Sequence, residues 1–214
     1  MENNVTGAMD RRSLLLLGAA LPLAACGGNI IGPPDASQIY ILKPPALPRL
    51  AGARVDWALA IARPEAPGLL DTNRIAISRS ADTGDYFANA VWQDPLTDIV
   101  QGALVDGFET SGLIEQVVPD TAGIRTDYQL KVEIRDFEAR YAQADSPPTA
   151  VVSLAASLIN GHDRRLAAHH IFHEESPAGA NSIPAAVEAF DRALGAAVKD
   201  IVQWATGAVP RGRA

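Results

Sequence analysis

The chain has 214 residues, with 25 Asp or Glu against 18 Lys or Arg and a formal net charge of −7. That balance excludes the basic stripe of a nucleic-acid binder and attachment to anionic lipid through charge alone. The single cysteine, Cys26, excludes an internal disulfide or a thiolate metal cluster.

The N-terminus reads as a targeting segment, to be set aside before fold reasoning. Arg11 and Arg12 precede an apolar run from Leu14 to Leu21, shorter than the roughly 20 residues of a membrane-spanning helix. Leu23-Ala24-Ala25-Cys26 then resembles the bacterial lipobox, with small residues before the cut and a cysteine after it. An ordinary signal-peptidase site beside a chance cysteine is the alternative. The only cysteine standing directly after the cut favours lipidation of Cys26 and removal of residues 1–25. Arg11-Arg12-Ser13-Leu14-Leu15 also hints at twin-arginine export, without the aromatic residue usual there. Two or three acyl chains, at about 0.8 kcal/mol per buried CH₂, make a lasting anchor. Gly27 stands where an inner-membrane retention aspartate would sit, which favours the outer membrane. Arg11 and Arg12 balance Glu2 and Asp10, so the remainder keeps the charge of −7. About 190 residues then make one ordinary domain.

Residues 26–38 have linker composition after the cysteine, and fully extended they reach at most ~40 Å at about 3.3 Å per residue. Ile39 to Leu42 reads as a first strand, stopped by Lys43-Pro44-Pro45. Val55 to Ile61 reads as a second, ended by Pro64 and Pro67. Asn73 to Ser78 is a short third. Asp94 as N-cap and Pro95 at the first helical position open a helix whose stripe is Leu96, Ile99, Val100, Ala103, Leu104 and Phe108. Gly112 stops it, and Leu113 to Val118 follows as a strand.

From Tyr128 the period becomes two, with Leu130, Val132 and Ile134 on one face. Phe137 and Tyr141 fall on the other parity, which predicts a bulge near Asp136. Ala150 to Ile159 is the next strand, Asn160-Gly161 a tight hairpin turn, and Arg164 to Phe172 the return. A last amphipathic helix runs from about Ser182 to Ala205, burying Val187, Phe190, Leu194, Val198, Ile201 and Ala205, with Gly207 as its end. The fold expected is α+β, a largely antiparallel twisted sheet with two amphipathic helices packed on one face. Its limits are 39–207, with a loose tail at 208–214.

Few residues invite chemistry. On a strand, His169 and His173 share a face and His170 points away, so the three do not converge on one metal. Zinc held with Glu174 and Glu175 is the lesser alternative to a surface role. The Asp136/Glu138 and Glu174/Glu175 pairs read as solvated edge charges, and no G-x-S-x-G elbow, P-loop or H-E-x-x-H is present. No catalysis and no cofactor is the expectation. Packing is the ordinary fate of the aromatics, Trp204 among them. Trp92 and Tyr86 are retained as candidates for an exposed partner interface. Arg63 and Arg74 could reach lipid phosphate, although scattered arginines are ordinary surface residues.

Three segments carry a resemblance: Tyr40-Ile41-Leu42, the block from Tyr86 to Leu96, and Ile183 to Leu194 with Ile201-Val202-Gln203-Trp204. With the lipobox they look like the auxiliary lipoprotein of ABC-type transport systems, the group containing the paraquat-inducible protein C. The resemblance spans Tyr40 to Trp204. It implies a periplasm-facing accessory subunit of MCE-type lipid transport between inner and outer membranes. The implied partners are an MCE-domain protein, a permease and an ATPase, and assembly into a homo-oligomer is implied as well. A lipoprotein scaffold for lipopolysaccharide or outer-membrane protein assembly is the alternative function. The resemblance brings no catalytic motif, and only Cys26 matches a residue of defined chemical role.

Overall fold

The alternation beginning at Tyr128 becomes the longest strand, and the rest of the sheet is arranged around it. The structure, a computed structural model, describes residues 37–80, 82–143 and 145–209. Cys26, the leader 1–25, the linker up to residue 36 and the tail from residue 210 lie outside the described residues. The chain divides between Asp35 and Ala36, and the second unit holds every described element. In chain order these are β1 (Gln38–Tyr40), β2 (Leu59–Ile61), β3 (Arg74–Ser80), β4 (Thr83–Trp92), α1 (Leu96–Ser111), β5 (Val117–Pro119), a single 3₁₀ turn (Asp120–Ala122), β6 (Tyr128–Arg140), β7 (Thr149–Asn160), β8 (Leu166–Pro177) and α2 (Ile183–Ala208).

β6, β7 and β8 form an antiparallel meander. The parity change in β6 is real: the β6–β7 register shifts between Ile134 and Asp136. One extra residue there returns Phe137, Ala139 and Tyr141 to the face already used by Leu130, Val132 and Ile134, and all six are buried. The turn after Asn160 differs from the tight hairpin expected of Asn-Gly. Residues 161–165 form a longer loop in which Asn160 Oδ1 accepts the N–H groups of His162 and Asp163 at 2.8 and 3.3 Å. The left-handed position falls on Arg164, at φ 60°. Gly161 is required for another reason: a Cβ there would overlap the carbonyl oxygen of Thr126.

The N-terminal half joins the other edge of β6, and here the sheet is mixed rather than largely antiparallel. β2 runs parallel to the start of β6, pairing Leu59 to Ile61 with Tyr128 to Leu130. β3 runs parallel to its end, at Ala139 and Arg140. β1 lies parallel to β4, and β5 parallel to β2. The strand expected from Val55 shrinks to Leu59–Ile61, because Val55 makes only a single bridge to Ile114. The strand expected from Leu113 likewise shrinks to Val117–Pro119. β4, which the sequence pattern did not mark, pairs antiparallel with β3.

Both helices bury the stripes their periodicity marks. α2 starts at Ser182, whose Oγ accepts the Ala185 N–H, and Pro184 sits in its first turn. It continues through Gly207 to Ala208, a turn-end later than Gly207 suggests. α1 begins one residue later than expected: Pro95 itself is the N-cap, without a side-chain cap, and Asp94 lies outside. Gly112 closes α1 in the left-handed conformation at φ 72°. α2 packs on β7 and β8, and α1 packs beside it. At the centre Phe137 and Phe190 stack with ring centroids 4.8 Å apart, and Trp92 meets both edge-on at 6.3 and 5.5 Å.

Candidate functional site

That aromatic cluster settles the first interface candidate. Trp92 is 1% exposed, at the end of β4 and beneath α2, so it offers no ring to a partner. Its position is a correction, and the cause is local: β4 alternates at its C-terminal end, which turns Ala90 and Trp92 inward. Tyr86 is half-buried on the same strand. Its hydroxyl donates to the Leu69 carbonyl at 3.1 Å, and the Arg74 guanidinium lies 3.7 Å from its ring centroid. Arg74 is thereby occupied as well. Trp204 packs over Phe172 and His170.

The histidines divide as strand geometry requires. His169 Nδ1 sits 3.0 Å from Ser157 Oγ, and His173 Nε2 lies 3.3 Å from Glu175 Oε1. His170 faces α2 instead, edge-on to Phe172 and tilted against Trp204. Among the described residues no three His, Cys, Asp or Glu side chains group closely enough to hold a metal ion. Of the carboxylate pairs, Glu138 accepts from Ser78 and Arg140, and Arg140 also approaches Glu175 at 3.7 Å. Glu174 leans toward α2, where burial, with Asp200 next, raises its pKa from its ordinary value.

A mainly apolar concavity lies elsewhere, where the segment after β1 crosses the two helices. Lys43 to Leu47 forms a strap over the meeting of α1 and α2, leaving an open groove of about 560 Å³. Its floor is Ile99, Gly102, Ala103, Gly107, Gly195 and Val198, and its rim carries Asp94, Asp98 and Asp106. Small residues make this geometry. A Cβ on Gly107 would overlap Val198 Cγ1, and one on Gly195 would stand 3.0 Å from Pro45 Cδ. Gly102, by contrast, has open space above it. The strap is fastened by the Lys43 N–H, which donates to Asp191 Oδ1 at 2.6 Å. Burial raises the Asp191 pKa, and that hydrogen bond partly opposes the rise. Asp98 is held by Arg63, so this arginine is a rim partner rather than a free phosphate ligand. In the sequence, the proline pair Pro44-Pro45 marked only the end of a strand.

Comparison with known proteins decides the class. Residues 40–202 match the family of the ABC-type transport auxiliary lipoprotein component. The chain belongs to that family. The auxiliary lipoprotein is 31% identical to protein XCC0632 from Xanthomonas campestris, whose crystal structure superposes with a TM-score of 0.75 over 80% of this chain and 96% of that one. A second solved protein, 16% identical, shares the fold with a TM-score of 0.61 over 79% of this chain and 98% of its own. The auxiliary lipoprotein is also 27% identical over 178 residues to the uncharacterized protein bll6063 of Bradyrhizobium diazoefficiens, covering 83% of this chain and 47% of that one. It therefore spans about half the length of that curated relative. Membership in a lipoprotein family carries a membrane-anchored, periplasm-facing location with it. No described helix is long and apolar enough to cross a membrane.

Proposed function

We propose that this auxiliary lipoprotein is the docking subunit of an MCE-type lipid transport system between the inner and outer membranes, working by binding rather than by catalysis. Cys26, acylated, anchors it, and Gly27 after that cysteine favours the outer membrane. Its partners are an MCE-domain protein with its permease and ATPase, and it assembles with further copies of itself. The family match across Tyr40 to Val202 is the observation that carries this reading.

The strap groove suits such a role. Its floor of small and apolar residues fits an inserted apolar side chain, and Asp94 and Asp106 on its rim fit a flanking Lys or Arg on a partner segment. The test is an affinity pulldown of the full chain from native membranes with a C-terminal tag, followed by mass spectrometry. An MCE protein recovered with permease and ATPase is the expected result. Asp94→Lys combined with Asp106→Lys should reduce that recovery while leaving the folded domain intact by circular dichroism. Outer-membrane assembly proteins recovered without any ABC component would overturn the reading in favour of a lipopolysaccharide or outer-membrane protein scaffold.

A further inference from the structure

The run Ile39-Tyr40-Ile41-Leu42, begun in β1, is apolar on both of its faces. Tyr40 packs against the core, and Leu42 just past the strand is buried. Ile39 and Ile41 alternate with them and point to the other side, where they are 64% and 48% exposed. A run apolar on both faces suits a strand that is covered on both. β1 is instead an edge strand, with β4 on one side and no described strand on the other. Exposed aliphatics scattered singly are ordinary, whereas a contiguous patch marks a contact.

Here the patch is contiguous. Ile39 stands opposite Val91 of β4, and Val91 stands opposite Arg74 of β3. Directly opposed residues share one face of a sheet. Next to Arg74 comes the Tyr86 ring, over which its guanidinium lies. Beyond Tyr86 the exposed Leu69 seats its side chain over Gly84. Ile41, Ile39 and Val91 thus form an aliphatic surface bordered by a tyrosine and an arginine. Stacking on the ring takes the face of the guanidinium and leaves the N–H donors along its edge.

What covers this surface follows from where the chain goes next. Residues 27–38 separate Ile39 from Cys26 and extend at most ~40 Å at about 3.3 Å per residue. The inference rests on the acylated Cys26 of the reading above. A tether this short keeps the bilayer at high effective concentration, so a patch too small to hold a free domain is enough to seat an anchored one. Tyrosine and arginine, each with an apolar body and a polar tip, suit the headgroup layer. We propose that the β1 edge is a membrane-seating surface. Ile39 and Ile41 enter the boundary between headgroups and acyl chains, with Tyr86 and Arg74 at headgroup level and the Arg74 edge toward phosphate. The lipid it takes is zwitterionic phospholipid, since the chain's charge of −7 opposes an anionic surface.

The test uses the full acylated chain, in which the single cysteine is consumed by lipid. I41C therefore carries the one thiol free to take an environment-sensitive fluorophore. I124C serves as the control, on an equally tethered chain, because Ile124 is exposed and follows β5 at the opposite end of the strand order. Each is reconstituted into phosphatidylcholine vesicles with and without a phospholipid bearing a nitroxide on its acyl chain. Emission from position 41 should shift to the blue and lose intensity to the nitroxide lipid, and emission from position 124 should do neither. I39D/I41C should lose both signals while still floating with the vesicles, because its acyl chains remain. Equal quenching at the two positions, or quenching at 41 that survives Ile39→Asp, would overturn the proposal. A label at 41 shielded from aqueous iodide yet blind to the nitroxide lipid would assign the patch to a second copy of the chain and overturn it as well. Mass spectrometry separates the two readings: an unacylated chain removes anchor and seat together, whereas an acylated, floating chain unquenched at 41 removes the seat alone.

Discussion

Asp191 shows how one side chain couples the fold to its surroundings. Its carboxylate fastens the strap through the Lys43 N–H, yet it lies half-buried in α2, and that burial raises its pKa. A carboxyl whose folded pKa lies above its unfolded value of about 3.9 contributes stability that is full below that value and is lost as pH rises through the folded one. Asp191→Asn keeps an acceptor for Lys43 and removes the titration. The stability of the natural chain relative to this variant should therefore be greatest in acid and fall as pH rises. Urea unfolding of both proteins across the acid-to-neutral range checks this, and a difference independent of pH would refute it. Trp92 teaches a related lesson. As a residue type it suits an interface and a core equally well, and only its partners Phe137 and Phe190 assign it to the core.

Among the elements, the approach of α1 to α2 rests on Gly107. A methyl group there gains about 1 kcal/mol in helix propensity but collides with Val198, a β-branched side chain with little rotamer freedom. Overpacking of this kind costs about 1–3 kcal/mol, so Gly107→Ala should destabilise on balance. Adding Val198→Ala should recover part of the loss, and a double-mutant cycle by denaturant unfolding measures that coupling. Additive losses would mean that the helices can part freely. The elements visible in the sequence are those whose burial is periodic. β6, with its bulge at Asp136, and α2, with its stripe from Val187 to Ala205, were legible because one face of each meets the core throughout. β4 was not. Tyr86 and Phe87 are adjacent, Gly84 adds no side chain, and Asn89 turns to φ 53°, so the strand is held by β3 and β1 rather than by its own pattern. The parallel pairings were equally hidden, since nothing local in Leu59–Ile61 selects Tyr128–Leu130 as its partner. The strap groove needs Pro45, Gly195 and Gly107 to meet across the fold, which no spacing along the chain announces.

At the scale of the whole molecule, an acidic domain has no electrostatic hold on anionic lipid, so its position relies on the anchor. Cys26→Ser should abolish acylation and release the chain, unprocessed or soluble, from the membrane fraction. Metabolic labelling with a palmitate analogue and fractionation read this directly. Undiminished label in the variant would refute the anchor. The sheet also fixes an order of assembly. β6, β7, β8 and α2 are consecutive, and the contacts joining them close over short stretches of chain. β2 and β3 instead pair with β6, a long way downstream, while β4 joins β3 and β1 joins β4. Contacts distant in sequence form late. As the chain emerges from the ribosome, β2 and β3 arrive before the strand they pair with, whose last paired residue is Arg140. The parallel pairing of β2 and β3 with β6 thus delays closure of the N-terminal half of the sheet until the last residues of β6 are available.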